Sequence, residues 1–317
     1  MAQTWTFDDM PDQTGRTAVV TGATSGLGLV AAEQLAAHGA TVLMAVRDVA
    51  KGERVRAGLR GDLEVHELDL ADLDSVRSFA ARLRDSGRRI DVLLNNAGIG
   101  ARERVLTPQG QESTFATNHL GHFALTGLLL DLFRPDHDPR VVTVSSNLYR
   151  VVRDLGLDDL TAARSFSPGR AYSRSKLANT LFGAELDRRL RAAGSEVRSF
   201  LAHPGMARTP MNQNPPRPAE RALVAVISAL AARTAEQGTL PMLFAATSPD
   251  AATGVLLGPG LLRKWDTRVH FAPLTASATD RALATRLWNV SQDLTGVTYL
   301  ARPAGAPLER SSGTPVL

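Results

Sequence analysis

Between residues 17 and 202 the chain alternates six short β-branched or Leu-rich runs (17–20, 41–45, 64–67, 92–95, 141–145 and 197–202) with helical patterns at 29–38, 49–60, 73–86, 111–133 and 174–193. No other property of the sequence constrains the fold as strongly. Short runs that are apolar throughout suit strands buried on both faces, and strands recurring after each helix pair in parallel through crossovers. The pattern therefore predicts an α/β chain: a single-domain Rossmann fold, a doubly wound parallel sheet with helices on both faces. No internal repeat or Gly/Ser linker divides residues 1–300, which are read as one domain. Two irregular stretches break the rhythm, 147–170 and the proline-rich 206–218, and segments of that kind in a compact domain serve as lids or binding loops or stay disordered. The Pro/Gly/Ser-rich end, 301–317, is expected to be a flexible tail.

Composition excludes several function classes. The 317 residues contain no cysteine, which removes disulfides, thiolate metal sites and cysteine nucleophiles. A sequence pI of about 9.9 invites a nucleic-acid reading, but the formal net charge is only +4. Only Lys51, Lys176 and Lys264 are lysines; the other basic residues are arginines scattered among acids, without aromatic residues interleaved to stack on bases. They read as solvated faces, and no nucleic-acid partner is expected. Residues 1–15 carry Asp8, Asp9 and Asp12 and no apolar stretch, so neither a signal peptide nor a membrane anchor is expected. The longest apolar run, 222–232, falls short of the roughly 20 residues a bilayer requires. A cytoplasmic protein is the expectation.

Directly after the first strand stands Thr21-Gly22-Ala23-Thr24-Ser25-Gly26-Leu27-Gly28, which opens the first helix. Glycines at such a turn let backbone N–H groups approach a pyrophosphate, and the helix N-terminus adds partial positive charge. A tight strand-to-helix turn is the plainer reading; the position after the first strand of a β-α-β series favours a dinucleotide. The second strand runs into Arg47 and Asp48, where such folds meet the adenosine ribose. An arginine there can grip a 2′-phosphate, so Arg47, helped by Thr24 or Ser25, favours NADP(H) over NAD(H). Asp48, one place later, could do the opposite job, and Arg47 could be simple surface.

Tyr172 and Lys176 are spaced i and i+4, hence on one helical face. A nearby ammonium favours phenolate, so the pair predicts a tyrosine general acid/base with a lowered pKa. The spacing gains weight from scarcity, since the chain has three tyrosines and three lysines.

Together these residues resemble the short-chain dehydrogenase/reductase family, and the likeness covers about residues 17–296. Besides the glycine turn it includes Asp69-Leu70 after the third strand, Asn95-Asn96-Ala97-Gly98 ending the fourth, Asn118, Ser146, the Tyr172/Lys176 pair, and Pro204-Gly205 followed by Thr209. Asn118-His119-Leu120-Gly121-His122-Phe123, Lys176-Leu177-Ala178-Asn179, His203-Pro204-Gly205 and Leu287-Trp288-Asn289-Val290-Ser291 are similar to the retinol dehydrogenase and WW-domain oxidoreductase branch, without its anchor or WW domain.

The resemblance implies an NADP(H)-dependent enzyme interconverting a lipophilic carbonyl and its alcohol, and a homodimer or homotetramer. Gly22, Thr24, Ser25, Gly26, Leu27, Gly28, Arg47, Asp69, Leu70, Asn96, Ala97, Gly98, Pro204, Gly205 and Thr209 would bind the cofactor. Tyr172 would transfer the proton, Ser146 orient the oxygen, Lys176 tune Tyr172 and hold the nicotinamide ribose, and Asn118 hold a relay water. Ser145 and Ser146 are adjacent and either could simply cap a strand end; the family register selects Ser146. Asn118 could instead be a buried amide bracing its helix. A substrate lid is implied at about 206–235, with Met206, Met211 and the 222–232 run as its apolar wall. His119, His122 and His203 lack acidic or thiolate neighbours in the sequence and read as packing or hydrogen-bonding groups, with no metal. The alternatives are a non-catalytic NADP(H) sensor and an epimerase or dehydratase on the same fold.

Overall fold

Seven strands run parallel in the order β4-β3-β2-β5-β6-β7-β8, because each is reached from its predecessor through a crossover. They are β2 (Thr17–Thr21), β3 (Thr41–Val46), β4 (Asp62–Glu67), β5 (Val92–Asn95), β6 (Arg140–Val144), β7 (Arg198–Ala202) and β8 (Leu256–Pro259). The computed structural model describes residues 2–205, 233–260 and 268–300. Thr209, the expected lid except for its last residues, and the expected tail lie outside them.

Alternate residues of each strand face opposite layers, as the pleat requires. Val20, Val42 and Met44 pack with Ala31 and Leu35 of α1 (Gly26–Ala37) and with Leu243 and Phe244 of α7 (Ala235–Thr247). Their neighbours Val19 and Leu43 face Val76 and Phe79 of α3 (Leu73–Asp85), Phe123 and Leu125 of α5 (Gly121–Leu129), and Phe182 and Leu186 of α6 (Pro168–Ala192). Fully buried strands between two helical layers explain why the runs read as apolar throughout. Strand order reverses between β2 and β5, which places the topological switch point beside the glycine turn.

The structure refines the sequence expectations at three places. The sheet is mixed at one edge: β9 (Val269–Ala272) pairs antiparallel with β8, and β1 (Ala2–Gln3) pairs antiparallel with β9. The expected helix 111–133 is broken into α4 (Ser113–Phe115), a π-helical turn Ala116–Leu120, α5 and a 3-10 turn Leu130–Leu132. Inside the π turn the Asn118 side chain bonds both backbone groups of Ile99, a tertiary demand that overrides regular winding. Finally, α2 (Val49–Arg56) stops before residue 60, whereas α6 starts early, with Pro168 in its first turn after Ser167.

Candidate active site

The glycine turn joins β2 to α1 at the carboxyl edge of the sheet. Gly22 has φ 71°, a left-handed conformation, and its N–H donates to the Ala45 carbonyl at 2.9 Å. Gly28 is there for close approach: a Cβ would stand 2.4 Å from the Gly22 carbonyl oxygen and 2.5 Å from Asn96 Nδ2. Asn96 braces the turn, donating from Nδ2 to the Thr21 carbonyl at 2.8 Å, and the N–H groups of Asn96 and Ala97 both donate to Thr21 Oγ1 at 2.9 Å. Ser25 precedes the first turn of α1 in extended conformation, so Thr24 through Leu27 lead into a helix N-terminus. A cradle with no room for a side chain, facing a 12-residue helix's N-terminus, fits a pyrophosphate.

The stretch that follows β3 is exposed. Arg47 and Asp48 follow β3 at the surface, and Asp48 is committed to capping α2, its Oδ1 accepting from the Lys51 N–H at 2.8 Å. Asp69 follows β4; its Oδ1 accepts from Ala71 N at 2.9 Å, and Leu70 is buried in the core beside it. Pro204 and Gly205 follow β7, with the Gly205 N–H donating to His203 Nδ1 at 3.1 Å. Each lies on the carboxyl side of a parallel strand, the edge where open α/β sheets bind ligands.

On the same edge, β6 leads into Ser145 and Ser146, which behave differently. Ser145 is buried and hydrogen-bonds the Lys176 carbonyl at 3.0 Å and Thr180 Oγ1 at 2.8 Å. Ser146 begins a 3-10 turn (Asn147–Val151), accepts from Leu148 N at 3.3 Å, and lies close enough to the Tyr172 phenol to favour its ionised form. Ser145 is thus tied inward to α6, while Ser146 is the one of the pair that stands beside Tyr172.

Tyr172 and Lys176 lie on α6 as the spacing requires, but their electrostatics differ from expectation. Burial pushes the Tyr172 phenol up to about 12, and the opposing pull comes from Ser146. The Lys176 ammonium lies 5.6 Å from the Tyr172 ring centroid and donates to the Val144 carbonyl at 3.1 Å. Burial also lowers Lys176 to about 8. Burial dominates the balance at Tyr172, and the phenol stays protonated at neutral pH.

Asn118 joins the two halves. Its Nδ2 donates to the Ile99 carbonyl at 3.0 Å and to Ser175 Oγ at 2.9 Å, while Oδ1 accepts from Ile99 N at 2.8 Å. Ser175 in turn donates to the Tyr172 carbonyl at 2.7 Å. Gly98 sits between the halves, since a Cβ there would lie 3.4 Å from Asn118 Oδ1 and 3.5 Å from Lys176 Nζ.

Sequence reasoning missed Thr21 and His122 as organisers of this site. Thr21 Oγ1 lies 3.0 Å from His122 Nε2, and His122 Nδ1 lies 3.0 Å from the Asn118 carbonyl, so one buried ring connects the glycine turn to the π turn. Desolvation lowers His122 to about 4, leaving a neutral ring with one donor and one acceptor. The signal was a threonine immediately before the first glycine; its importance depends on a helix a hundred positions away.

The short chain dehydrogenase family model matches residues 16–219. Retinol dehydrogenase 14 of Homo sapiens is 36% identical over 302 residues, which span 89% of this chain and 87% of its own. Polyprenol dehydrogenase of Mus musculus is 37% identical, covering 90% and 86%. Among solved structures, a putative uncharacterized protein from Mycobacterium Paratuberculosis superposes with a TM-score of 0.77 at 43% identity, over 92% of this chain and 98% of that one. A putative NAD(P) dependent gluconate 5-dehydrogenase from Beutenbergia cavernae, solved with bound NADP, gives 0.61 at 29% identity, over 77% and 95%.

Proposed function

Because the chain belongs to the short-chain dehydrogenase family and is an oxidoreductase acting between carbonyl and alcohol, we propose that it uses NADP(H) on a lipophilic aldehyde, ketone or alcohol, with Tyr172 as general acid/base. The observation that carries this reading is the gathering on one sheet edge of Ser146, the Tyr172 phenol that it acts on, Lys176 one turn further along α6, and the glycine cradle.

The dinucleotide, when bound, supplies the hydride in reduction and accepts it in oxidation. Gly22 to Gly28 would cradle its pyrophosphate, Asp69 and Leu70 its adenine, Asn96 to Gly98 its ribose, and Pro204, Gly205 and Thr209 its nicotinamide. Tyr172 delivers its phenolic proton to the alkoxide oxygen formed as the carbonyl is reduced, and Ser146 holds that oxygen by hydrogen bonding. A phenol kept protonated by burial suits the reductive direction. Lys176 returns a proton towards Tyr172, and the Oδ1 lone pair left on Asn118 is what that residue offers a relay water. Reductive kcat/KM should therefore be level at neutral pH and fall about tenfold per unit as the pH rises past about 8, where Lys176 loses its proton. A rate level up to pH 10 would remove Lys176 from the proton path.

Arg47 at the exposed ribose end supports NADP(H), and the capping bond of Asp48 supports it further by holding the rival carboxylate against α2. In Arg47→Asp the ratio of kcat/KM for NADPH over NADH should fall about 30-fold, the value of one charge-assisted phosphate contact of about 2 kcal/mol. An unchanged ratio would assign the discrimination to other residues.

Apolar residues at the site's borders support a lipophilic substrate. Leu148 and Val151, 49% and 70% exposed, lie on the turn that Ser146 begins. Val105 and Leu106, 47% and 45% exposed, lie on the segment after Gly100, whose position is within 4 Å of Tyr172. Relatives named for retinol and polyprenol point the same way. The test is a screen of aliphatic, aromatic, steroid and retinoid carbonyls with each reduced cofactor; no NADPH consumption across the panel would favour the sensor reading.

A further inference from the structure

The Thr21 hydroxyl lies among four hydrogen-bonding neighbours but has one proton and two lone pairs, so its bonds can be sorted. The N–H groups of Asn96 and Ala97 fill the lone pairs at 2.9 Å. The proton is left for either the Leu94 carbonyl at 3.2 Å or His122 Nε2 at 3.0 Å. Thr21, Asn118 and His122 are each no more than 1% exposed, so solvent does not make good a mismatched pair.

The other ring nitrogen decides between them. His122 Nδ1 lies 3.0 Å from the Asn118 carbonyl, which can only accept, so Nδ1 carries the hydrogen. Burial, with the Lys176 ammonium adding to it, keeps the ring neutral, and Nε2 is then a lone pair that takes the Thr21 proton. The Leu94 carbonyl accepts instead from the Asn96 N–H at 2.9 Å. The opposite tautomer fails twice: it sets two lone pairs against each other at Asn118 and crowds three N–H groups onto one hydroxyl oxygen.

Sorted in this way, the bonds close a circuit around residues 96–99. Thr21 holds Asn96 and Ala97, the Asn118 side chain holds both backbone groups of Ile99, and His122 joins the two holders. Gly98, inside the circuit, is where this segment meets Lys176. We propose that His122, as the Nδ1–H tautomer, is a positioning residue: its Nε2 side sets the cofactor-binding end of the segment through Thr21, and its Nδ1 side sets the catalytic end through Asn118. The kinetic part rests on the enzyme reading above, whereas the tautomer and the NADPH affinity are measured without turnover.

Long-range 1H–15N NMR of the full chain should show His122 neutral and protonated at Nδ1 from pH 6 to pH 8. His122→Phe keeps a ring and removes both nitrogens; NADPH affinity, followed by NADPH fluorescence, should weaken about tenfold and kcat for an accepted carbonyl should fall about tenfold. Two amide variants should separate these losses. His122→Gln reaches Thr21 with its amide oxygen but leaves the Asn118 carbonyl without this donor, so NADPH affinity should return to within about threefold of wild type while kcat stays low. His122→Asn puts its amide nitrogen where Nδ1 stood, so kcat should return to within about threefold while NADPH affinity stays weak. A merely structural role would move both together. An Nε2–H tautomer in the wild type overturns the proposal, as does unchanged affinity and kcat in a folded His122→Phe. Affinity and kcat that rise and fall together through the two amide variants also overturn it. Should His122→Phe fail to fold, the wild-type tautomer and the amide variants decide. If the tautomer and the affinities are as expected but no carbonyl is reduced, the circuit stands and the enzyme reading falls.

Discussion

Tyr172→Phe should reduce NADPH-dependent carbonyl reduction about a thousandfold, within the range that positioned general acids contribute. The change deletes one oxygen from a half-buried ring on α6 and leaves the Lys176–Val144 contact and the glycine cradle untouched. NADPH affinity should therefore hold within about twofold, and thermal stability should change by about 1 kcal/mol or less, since the phenol oxygen gives up at most its interaction with Ser146. Single-turnover absorbance of NADPH separates the outcomes. Residual turnover within tenfold of wild type would deny Tyr172 the proton, and collapse of NADPH binding would make it a binding residue.

A steep loss of stability on mild acidification is the second large effect. His119 is lowered by burial to about 3, and His122 and His203 to about 4, against 6.5 in an unfolded chain. The unfolded chain therefore takes up three protons as the pH drops through 6.5 while the folded protein takes up none until about 4. Stability from the neutral rings is complete above 6.5 and is lost as the pH falls below it. Each pH unit below 6.5 costs about 1.4 kcal/mol per histidine, so the three together remove on the order of 6 kcal/mol by pH 5, comparable to the stability of a typical domain. Asp12, Asp138, Asp158 and Asp159, whose pKa values lie below the ordinary 3.8, contribute nothing to this window. Urea unfolding at pH 7, 6 and 5 should show a slope equivalent to about three protons near pH 5. A flat profile would require water to reach the rings.

Features with a local or periodic signature could be read directly. Buried strands showed as continuous apolar runs, the glycine turn followed from its place after β2, and Tyr172 and Lys176 followed from helical spacing. Other features had no such signature. The four residues of β8 and the two of β1 are too short to carry a period, and their pairing depends on distant partners. The π turn depends on Asn118 reaching Ile99, a contact absent from the order of residues. The expected effect of Lys176 on Tyr172 was drawn from spacing alone, whereas enclosure of the phenol sets the balance. Likewise the three histidines were recognisable as packing groups, but the bond from His119 to a serine 172 positions later was not.

The edge pairing of β1 with β9 bears on how the chain folds. Ala2 and Gln3 find their partners, His270 and Val269, only after every strand of the parallel sheet has passed along the chain. The first strand must wait unpaired while the parallel sheet from β2 to β8 assembles without it. β1 thus joins the sheet only once β9 is in place, and a chain cut before residue 269 would keep the glycine cradle and the Tyr172 helix while residues 2 and 3 stayed unpaired and open to proteases.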